Sequence, residues 1–119
     1  MKELTAKEEE IMTFFWKHNK LFVKQIVEQY PDPKPHFNTI STYVRMLEEK
    51  GFLAHESFGT SYQYYPLISK EEYNNRTLKN IVAKYFQNSY LNVVNTFIKS
   101  EKLSIEEIRQ LLDDIEKKQ

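Results

Sequence analysis

The chain has no cysteine and only two glycines and four prolines among its 119 residues. The absence of cysteine excludes a disulfide framework, thiolate metal sites and a cysteine nucleophile. Because glycine and proline dominate turns and long loops, their scarcity favours a largely helical protein with short connections. Eight tyrosines and eight phenylalanines still provide apolar surface for a core, so the composition is that of a folded protein.

The sequence also lacks a long apolar run and an excess of charge of either sign. No segment approaches the roughly 18 consecutive apolar residues of a membrane-spanning helix, and no signal peptide is recognisable, so we expect a cytoplasmic protein. Residues 1–70 carry nine basic and nine acidic side chains, and residues 71–119 carry eight of each. Composition alone therefore does not suggest a nucleic-acid-binding protein.

Signs of catalysis or metal binding are missing as well. His18, His36 and His55 are irregularly spaced and form no metal-ligand motif. Two glycines, Gly51 and Gly59, cannot build a glycine-rich phosphate loop. The carboxylates cluster in the first turns of predicted helices, where the helix dipole explains them without catalysis. We expect no enzymatic activity, no cofactor and no metal.

Three helices are predicted in the N-terminal half of the chain. Thr5 and Glu8 form a capping box at the start of the first helix. Its apolar face is expected to comprise Ile11, Phe14, Phe15 and His18, with Met12 and Trp16 to the side. A β-like run at 21–23 leads into the second helix, which carries apolar residues as far as Tyr30 and is ended by Pro31.

The third helix is expected to run from Asn38, as its N-cap, to Lys50. Its inward stripe is expected to comprise Ile40, Val44 and Leu47, and Gly51 follows as a stop signal. The apolar period then changes from 3.6 to 2. Residues 52–57 and 62–66 are predicted to form a β-hairpin around Phe58–Thr60.

The C-terminal part, from Ser69 onwards, is predicted to be helical. Capping boxes begin at Ser69 and Ser104, and the apolar residues here exceed what so short a segment can bury by itself. We therefore expect residues 1–68 and 69–119 to form two domains, the second one covered by a second copy of the chain. The alternative is packing against the N-terminal domain. The expected dimer contacts are Val82, Tyr85, Phe86, Val94, Phe97, Ile98, Ile108, Leu111 and Leu112.

Three helices followed by a hairpin are the element order of a winged helix-turn-helix. The expected fold class is thus mainly α with a small β-hairpin: a winged helix plus a C-terminal helical dimerisation domain. The third helix of this fold enters the major groove of DNA. The expected DNA contacts are Lys24, Lys34, His36, Asn38, Thr39, Ser41, Thr42, Arg45 and Met46, and the wing residues are Gly59, Thr60 and Ser61. Each of these residues could equally belong to an ordinary solvated surface.

A series of short motifs in fixed order resembles a known family. The motifs are Leu4-Thr5 with Glu8 to Trp16, Thr39-Ile40-Ser41-Thr42, Glu49-Lys50-Gly51-Phe52-Leu53, and Tyr62 to Ser69 with Glu71-Glu72-Tyr73. Over residues 4 to about 112 they look like the penicillinase-repressor family, BlaI/MecI/CopY. The resemblance implies a dimeric repressor that binds double-stranded operator DNA. It places Thr39 and Thr42 on the family's recognition-helix threonines, while Met46 stands where family members commonly have Arg, with Arg45 before it. A different base sequence is therefore expected to be read.

The resemblance also implies a route to inactivation. In the antibiotic-responsive branch of the family, a membrane sensor-protease partner triggers cleavage of the repressor within its dimerisation domain. The corresponding bond here would join Thr96 and Phe97, although the family pattern has Asn at the position of Thr96. From its spacing, Phe97 is also a candidate for the dimer core. The copper-responsive branch holds metal through cysteines, which this chain lacks.

Two other functions are compatible with the same sequence. A winged helix can serve as a protein interaction module that never binds DNA, and the net charge of zero is consistent with this. A repressor with a ligand pocket between its domains is the second alternative, although the short C-terminal part leaves little room for one.

Overall fold

The computed structural model describes residues 3–118, apart from the side chains of Leu112, Ile115 and Lys118. The first five elements are α1 Ala6–His18, β1 Leu21–Phe22, α2 Val23–Glu28, α3 Phe37–Glu49 and β2 Leu53–Phe58. The other four are β3 Ser61–Pro66, α4 Lys70–Tyr85, α5 Tyr90–Lys99 and α6 Ile105–Lys118. The predicted fold class is confirmed: a mainly helical chain with a small antiparallel sheet in the order of a winged helix.

The chain divides into two compact units, residues 1–73 and 74–119. The division falls within α4, whereas the sequence suggested a boundary after Ile68. The first turn of α4 belongs to the N-terminal unit because Tyr73 packs its ring on Trp16 and Phe52 and donates a hydrogen bond from its hydroxyl to Glu9 Oε2 (2.9 Å).

The hairpin of the N-terminal unit is extended to a three-stranded sheet in the order β1-β3-β2. Leu21 of β1 pairs with Tyr64 of β3, and Phe58 at the end of β2 pairs with Ser61 at the start of β3. Only Gly59 and Thr60 lie between the paired strands. Gly59 has φ of +62°, a left-handed conformation that glycine adopts without steric cost. The turn is thus one residue shorter than the sequence indicated.

The core of the N-terminal unit lies between the three helices and the sheet. The inward stripe of α3 is confirmed, because Ile40, Val44 and Leu47 are fully buried. On α1 the prediction was wrong at two positions: Met12 is fully buried, and His18 is exposed. Met12 faces the core because the sheet and the other helices cover a wider arc of α1 than the narrow stripe assumed.

Two helix ends also differ from the sequence-based prediction. His36, and not Asn38, caps α3, since its Nδ1 accepts a hydrogen bond from the Asn38 N–H (3.0 Å). The second helix ends at Glu28 rather than at Tyr30. Lys34 donates from Nζ to the carbonyl oxygens of Glu28 (3.2 Å) and Tyr30 (2.7 Å), so a cation satisfies acceptors at this helix end.

The capping boxes predicted at Thr5 and Ser104 are complete, and the one at Thr5 includes a buried ion pair. At Ser69 the hydroxyl accepts from the Glu72 N–H (3.1 Å) and donates to Glu72 Oε1 (3.2 Å). The Thr5 N–H donates to Glu8 Oε1 (2.9 Å), and Thr5 Oγ1 accepts from the Glu8 N–H (3.2 Å). Lys50 at the end of α3 also donates to Glu8 Oε1, at 2.6 Å. Burial tends to raise the pKa of the Glu8 carboxyl, but the hydrogen bonds from Lys50 and Thr5 outweigh it, so this pKa lies below its usual value.

Candidate DNA-binding surface

The face of α3 that points away from the core carries a row of polar side chains. Asn38, Thr39, Thr42 and Arg45 are exposed, and Ser41 is half-buried. They share one surface because they alternate at helical spacing with the buried stripe on the opposite face. Four of these side chains can donate or accept through hydroxyl or amide groups, and Arg45 offers a planar cation, so the surface is suited to hydrogen-bonding partners.

Internal hydrogen bonds affect how Thr42, and His36 just before the helix, can contact a partner. Thr42 Oγ1 donates to the carbonyl oxygen of Asn38 (2.9 Å), which leaves its lone pairs to accept. His36 uses Nδ1 to cap the helix and so offers only its other ring nitrogen. Met46 lies on the same exposed side with 40% of its surface accessible. The row thus combines donors, acceptors and one apolar side chain.

The hairpin β2-β3, here called the wing, is joined to α3 by a specific contact. His55 Nδ1 of β2 lies 2.6 Å from Glu48 Oε2 of α3. The imidazole ring also packs on Tyr62, with ring centroids 4.4 Å apart, and on Tyr64 at 5.3 Å. The contact with Glu48 fixes the wing relative to the helix. The tip residues Gly59, Thr60 and Ser61 remain exposed.

The two lysines expected at this surface differ in their environment. Lys24 is exposed near the start of α2 and lines a cleft next to the wing. Lys34 is exposed as well, but its ammonium group donates to the two carbonyl oxygens at the end of α2. Lys24 is therefore the freer cation to contact an anionic partner, and Lys34 is mainly a structural residue of the α2–α3 connection.

A cleft of about 570 Å³ lies between the start of α2, the start of α3 and the wing. Its aromatic walls are Phe22, Phe37, Phe58, Tyr62 and Tyr64. Lys24 and Ser41 line the same cleft, so it is continuous with the polar row of α3. Sequence reasoning missed Phe22, Phe37 and Phe58 as surface residues of this region. Their signal was an aromatic residue directly before α2, directly before Asn38, and at the hairpin turn.

A family model, described as penicillinase repressor, matches residues 4–117. The chain belongs to the penicillinase repressor family. This confirms the resemblance drawn from the sequence motifs. Because the family consists of repressors, the expectation that the chain is not an enzyme is also confirmed.

Members of the penicillinase repressor family match this chain over almost their whole length. The methicillin resistance regulatory protein MecI of Staphylococcus aureus (strain N315) is 28% identical over 117 residues, which cover 98% of this chain and 95% of that protein. The penicillinase repressor of Bacillus licheniformis is 25% identical over 119 residues, covering 96% of this chain and 90% of that protein. The domain content of these repressors is thus present in this chain.

A solved structure supports the assignment of the fold. The DNA binding domain of the repressor BlaI, determined in solution, aligns with a TM-score of 0.52 and 27% sequence identity. The alignment covers 61% of this chain and 94% of that domain. A nearly complete winged-helix domain of the family is therefore present here.

The C-terminal unit of this repressor exposes many apolar side chains. Among the expected dimer contacts, Tyr85, Phe97 and Leu111 are exposed, whereas Val82 is buried within its own chain. Phe86, Val94, Ile98 and Ile108 are half-buried, and the side chain of Leu112 lies outside the described residues. Outside the expected dimer contacts, this unit also exposes the apolar side chains of Leu78, Ile81, Tyr90, Leu91 and Ile105.

The Thr96–Phe97 bond lies inside α5, which spans Tyr90–Lys99. The Thr96 carbonyl oxygen accepts a hydrogen bond from the Ser100 N–H (3.1 Å), and Thr96 Oγ1 donates to the carbonyl oxygen of Asn92 (2.8 Å), so the bond lies in hydrogen-bonded helix. A protease needs an extended substrate, and this turn would therefore have to unwind before cleavage.

The described part of the chain offers neither a metal-binding cluster nor a membrane-spanning helix. Within residues 3–118 no group of His, Asp and Glu side chains could hold a metal ion. Over the same range no helix is both long and apolar enough to cross a membrane.

Proposed function

We propose that this protein is a transcriptional repressor that binds a palindromic operator in double-stranded DNA as a homodimer. α3 lies in the major groove, and the wing contacts the adjacent backbone. The observation that carries this proposal is the exposed row of Thr39, Thr42 and Arg45 on a helix whose opposite face is completely buried. The likeness to the BlaI DNA binding domain supports DNA binding by the N-terminal unit.

The residues of this surface take different roles in the proposed complex. Arg45 can donate two parallel hydrogen bonds to a guanine, and Thr39, Ser41 and Thr42 can contact base edges or phosphates. Met46 is suited to contact with a thymine methyl group. Asn38 and His36, at the start of α3, Lys24, and the wing tip at 59–61 lie where phosphates would approach. Lys34 adds positive charge nearby.

Dimerisation is proposed to occur through the C-terminal unit. Tyr85, Phe97 and Leu111 leave a large apolar surface in contact with water when the chain is alone. A second copy of the unit would bury that surface symmetrically. The two α3 helices would then lie about 34–36 Å apart, or a multiple of that distance, to reach successive half-sites.

Proteolytic inactivation is proposed as a coupled step. Cleavage between Thr96 and Phe97, triggered by a membrane sensor-protease partner, would cut α5 and separate five of the nine proposed dimer contacts from the rest. Because the bond is helical, cleavage requires local unwinding, and the half-buried Val94 and Ile98 would lose their packing with it. Loss of the dimer would release the operator, since each half-site alone is bound weakly.

A second candidate is a winged-helix module that docks a protein partner through α3. The equal number of acidic and basic residues in the N-terminal half favours it, because this half as a whole is not the basic module expected of a strong non-specific DNA binder. Exposed Met46 and Phe37 would suit a protein interface as well.

Selection of bound duplexes from a random DNA pool distinguishes the two candidates. We expect a palindromic consensus that is bound by two chains per duplex, as measured by light scattering of the complex. Enrichment of a single, non-repeated half-site would contradict the dimeric mode. No enrichment at moderate salt would favour the protein-docking module.

A further inference from the structure

The aromatic cleft beside α3 has an unusual surface for its position. Phe37, Phe58 and Tyr62 are 50%, 51% and 48% exposed. Large apolar side chains exposed together commonly mark a binding surface. Phe58 packs edge-on against Phe22, with ring centroids 5.9 Å apart, so its ring is supported from one side and accessible from the other.

The polar groups of the cleft favour an anionic partner. Of the described residues that line it, Lys24 is the only charged one, and no carboxylate is present. Gln25 accepts a hydrogen bond from the Phe22 N–H through Oε1 (2.9 Å), so the NH2 end of its amide is what it can offer to a ligand. Ser41, Thr60 and Ser61 add hydroxyl groups at the rim. Donors and one cation thus surround aromatic walls.

A nucleic acid backbone matches this combination. Phosphates alternate along it with deoxyribose rings, whose C–H faces are apolar. When a helix lies in the major groove and a wing lies at the adjacent minor groove, the strand that separates the two grooves passes between them. The cleft occupies that place, between α3 and the wing.

We propose that the cleft binds one sugar–phosphate strand of the operator. Phe58, Tyr62 and Phe37 pack on deoxyribose, and Lys24 and Gln25 contact a phosphate. This inference rests on the proposed DNA binding and adds an apolar contribution to its affinity. Residues 1–70 have no net charge, so they lack the overall positive field of a strongly basic DNA-binding module. Apolar contact with sugars supplies affinity that does not depend on salt.

The test measures binding of the full chain to two duplexes of equal length, the selected consensus and an unrelated sequence, by fluorescence anisotropy at several salt concentrations. We expect Phe58→Ala to weaken binding about tenfold, because roughly half of the ring surface remains to be buried. The loss should be the same for both duplexes and at every salt concentration. Lys24→Ala should instead flatten the salt dependence by about one unit of slope.

Leu67→Ala is the matched control. Leu67 is 56% exposed in the same unit but does not line the cleft, so its removal should leave binding unchanged. Phe58→Tyr retains the ring and should lose much less affinity than Phe58→Ala. Thermal unfolding of each variant checks that the fold is intact.

The outcomes separate this inference from the proposed function. If the wild type binds the consensus and Phe58→Ala binds as well as Leu67→Ala, the cleft does not bind the DNA backbone. The proposed function of the protein as a DNA-binding repressor is then unaffected. A loss confined to the consensus would also overturn the inference about the cleft, because it would indicate insertion of Phe58 at a particular base step. If the wild type binds no duplex, both fail.

Discussion

His55 Nδ1 lies 2.6 Å from Glu48 Oε2, and this contact joins the wing to α3. Both side chains are about one-third exposed, so the pair contributes little to the free energy of unfolding. Its effect is on geometry, because the wing and the recognition surface of α3 must contact one DNA molecule together. Leu53 and Tyr64 anchor the strands of the wing in the core, and the polar contact adds a link to α3 at the edge of the core.

Replacing His55 with Ala should weaken DNA binding more than it weakens the fold. We expect the free energy of unfolding to fall by at most about 1 kcal/mol, while the affinity for the consensus duplex falls several-fold. Lys7→Ala, which breaks the exposed Lys7–Glu10 pair on α1 (3.1 Å), is the control and should leave binding unchanged. Equal affinity of His55→Ala and wild type would show that DNA binding does not require the contact between His55 and Glu48.

The Glu8–Lys50 pair should matter for stability rather than for binding. Glu8 is fully buried, so Glu8→Ala leaves the Lys50 ammonium with only the carbonyl oxygen of Glu3 (3.2 Å), and we expect a loss of about 3 kcal/mol in urea unfolding. Glu56→Ala, at an exposed position of β2, is the matched control and should change stability only slightly. A loss no larger than that of Glu56→Ala would contradict the assigned role.

The same pair predicts how stability depends on pH. The pKa of Glu8 is lowered in the folded state, so folded Glu8 holds its proton less tightly than unfolded Glu8. Its stabilising contribution is therefore complete above the unfolded pKa and is lost as the pH falls through the folded pKa. We expect the melting temperature of the wild type to fall more steeply in acid than that of Glu8→Gln. Parallel curves would refute the linkage.

Arg45→Ala should alter which base sequence is read. If the guanidinium contacts a guanine, its loss costs about 1–3 kcal/mol on the consensus and relaxes selectivity at one base position. Repeating the selection with the variant reveals that position. A uniform weakening on all sequences would instead assign Arg45 to a phosphate.

Phe97→Asp should dissociate the proposed dimer. A carboxylate in a buried apolar interface is costly, so sedimentation equilibrium should show a shift from two chains towards one. Leu67→Asp, at an exposed position of the N-terminal unit, is the control and should remain dimeric. An unchanged mass for Phe97→Asp would place the interface on another face of the C-terminal unit.

Local sequence signals were enough to predict the element order of the winged helix and the inward face of α3. Local rules carry this information: capping boxes at Thr5 and Ser69, a glycine after Lys50, and the change of apolar period from 3.6 to 2. The inward stripe of α3 also predicted the outward row of Thr39, Thr42 and Arg45, and the family resemblance, drawn from short motifs, covered Thr39 and Thr42.

Local sequence patterns could not show which residues pack in the core or bind neighbouring groups and which face solvent, because long-range contacts settle this. Met12 is buried and His18 exposed because the sheet covers one flank of α1. Lys34 binds carbonyl oxygens while Lys24 stays free, a difference that depends on where α2 ends. Phe22, Phe37 and Phe58 are far apart in sequence, and the fold alone brings them to one cleft, since long-range proximity is set by packing and not by local periodicity.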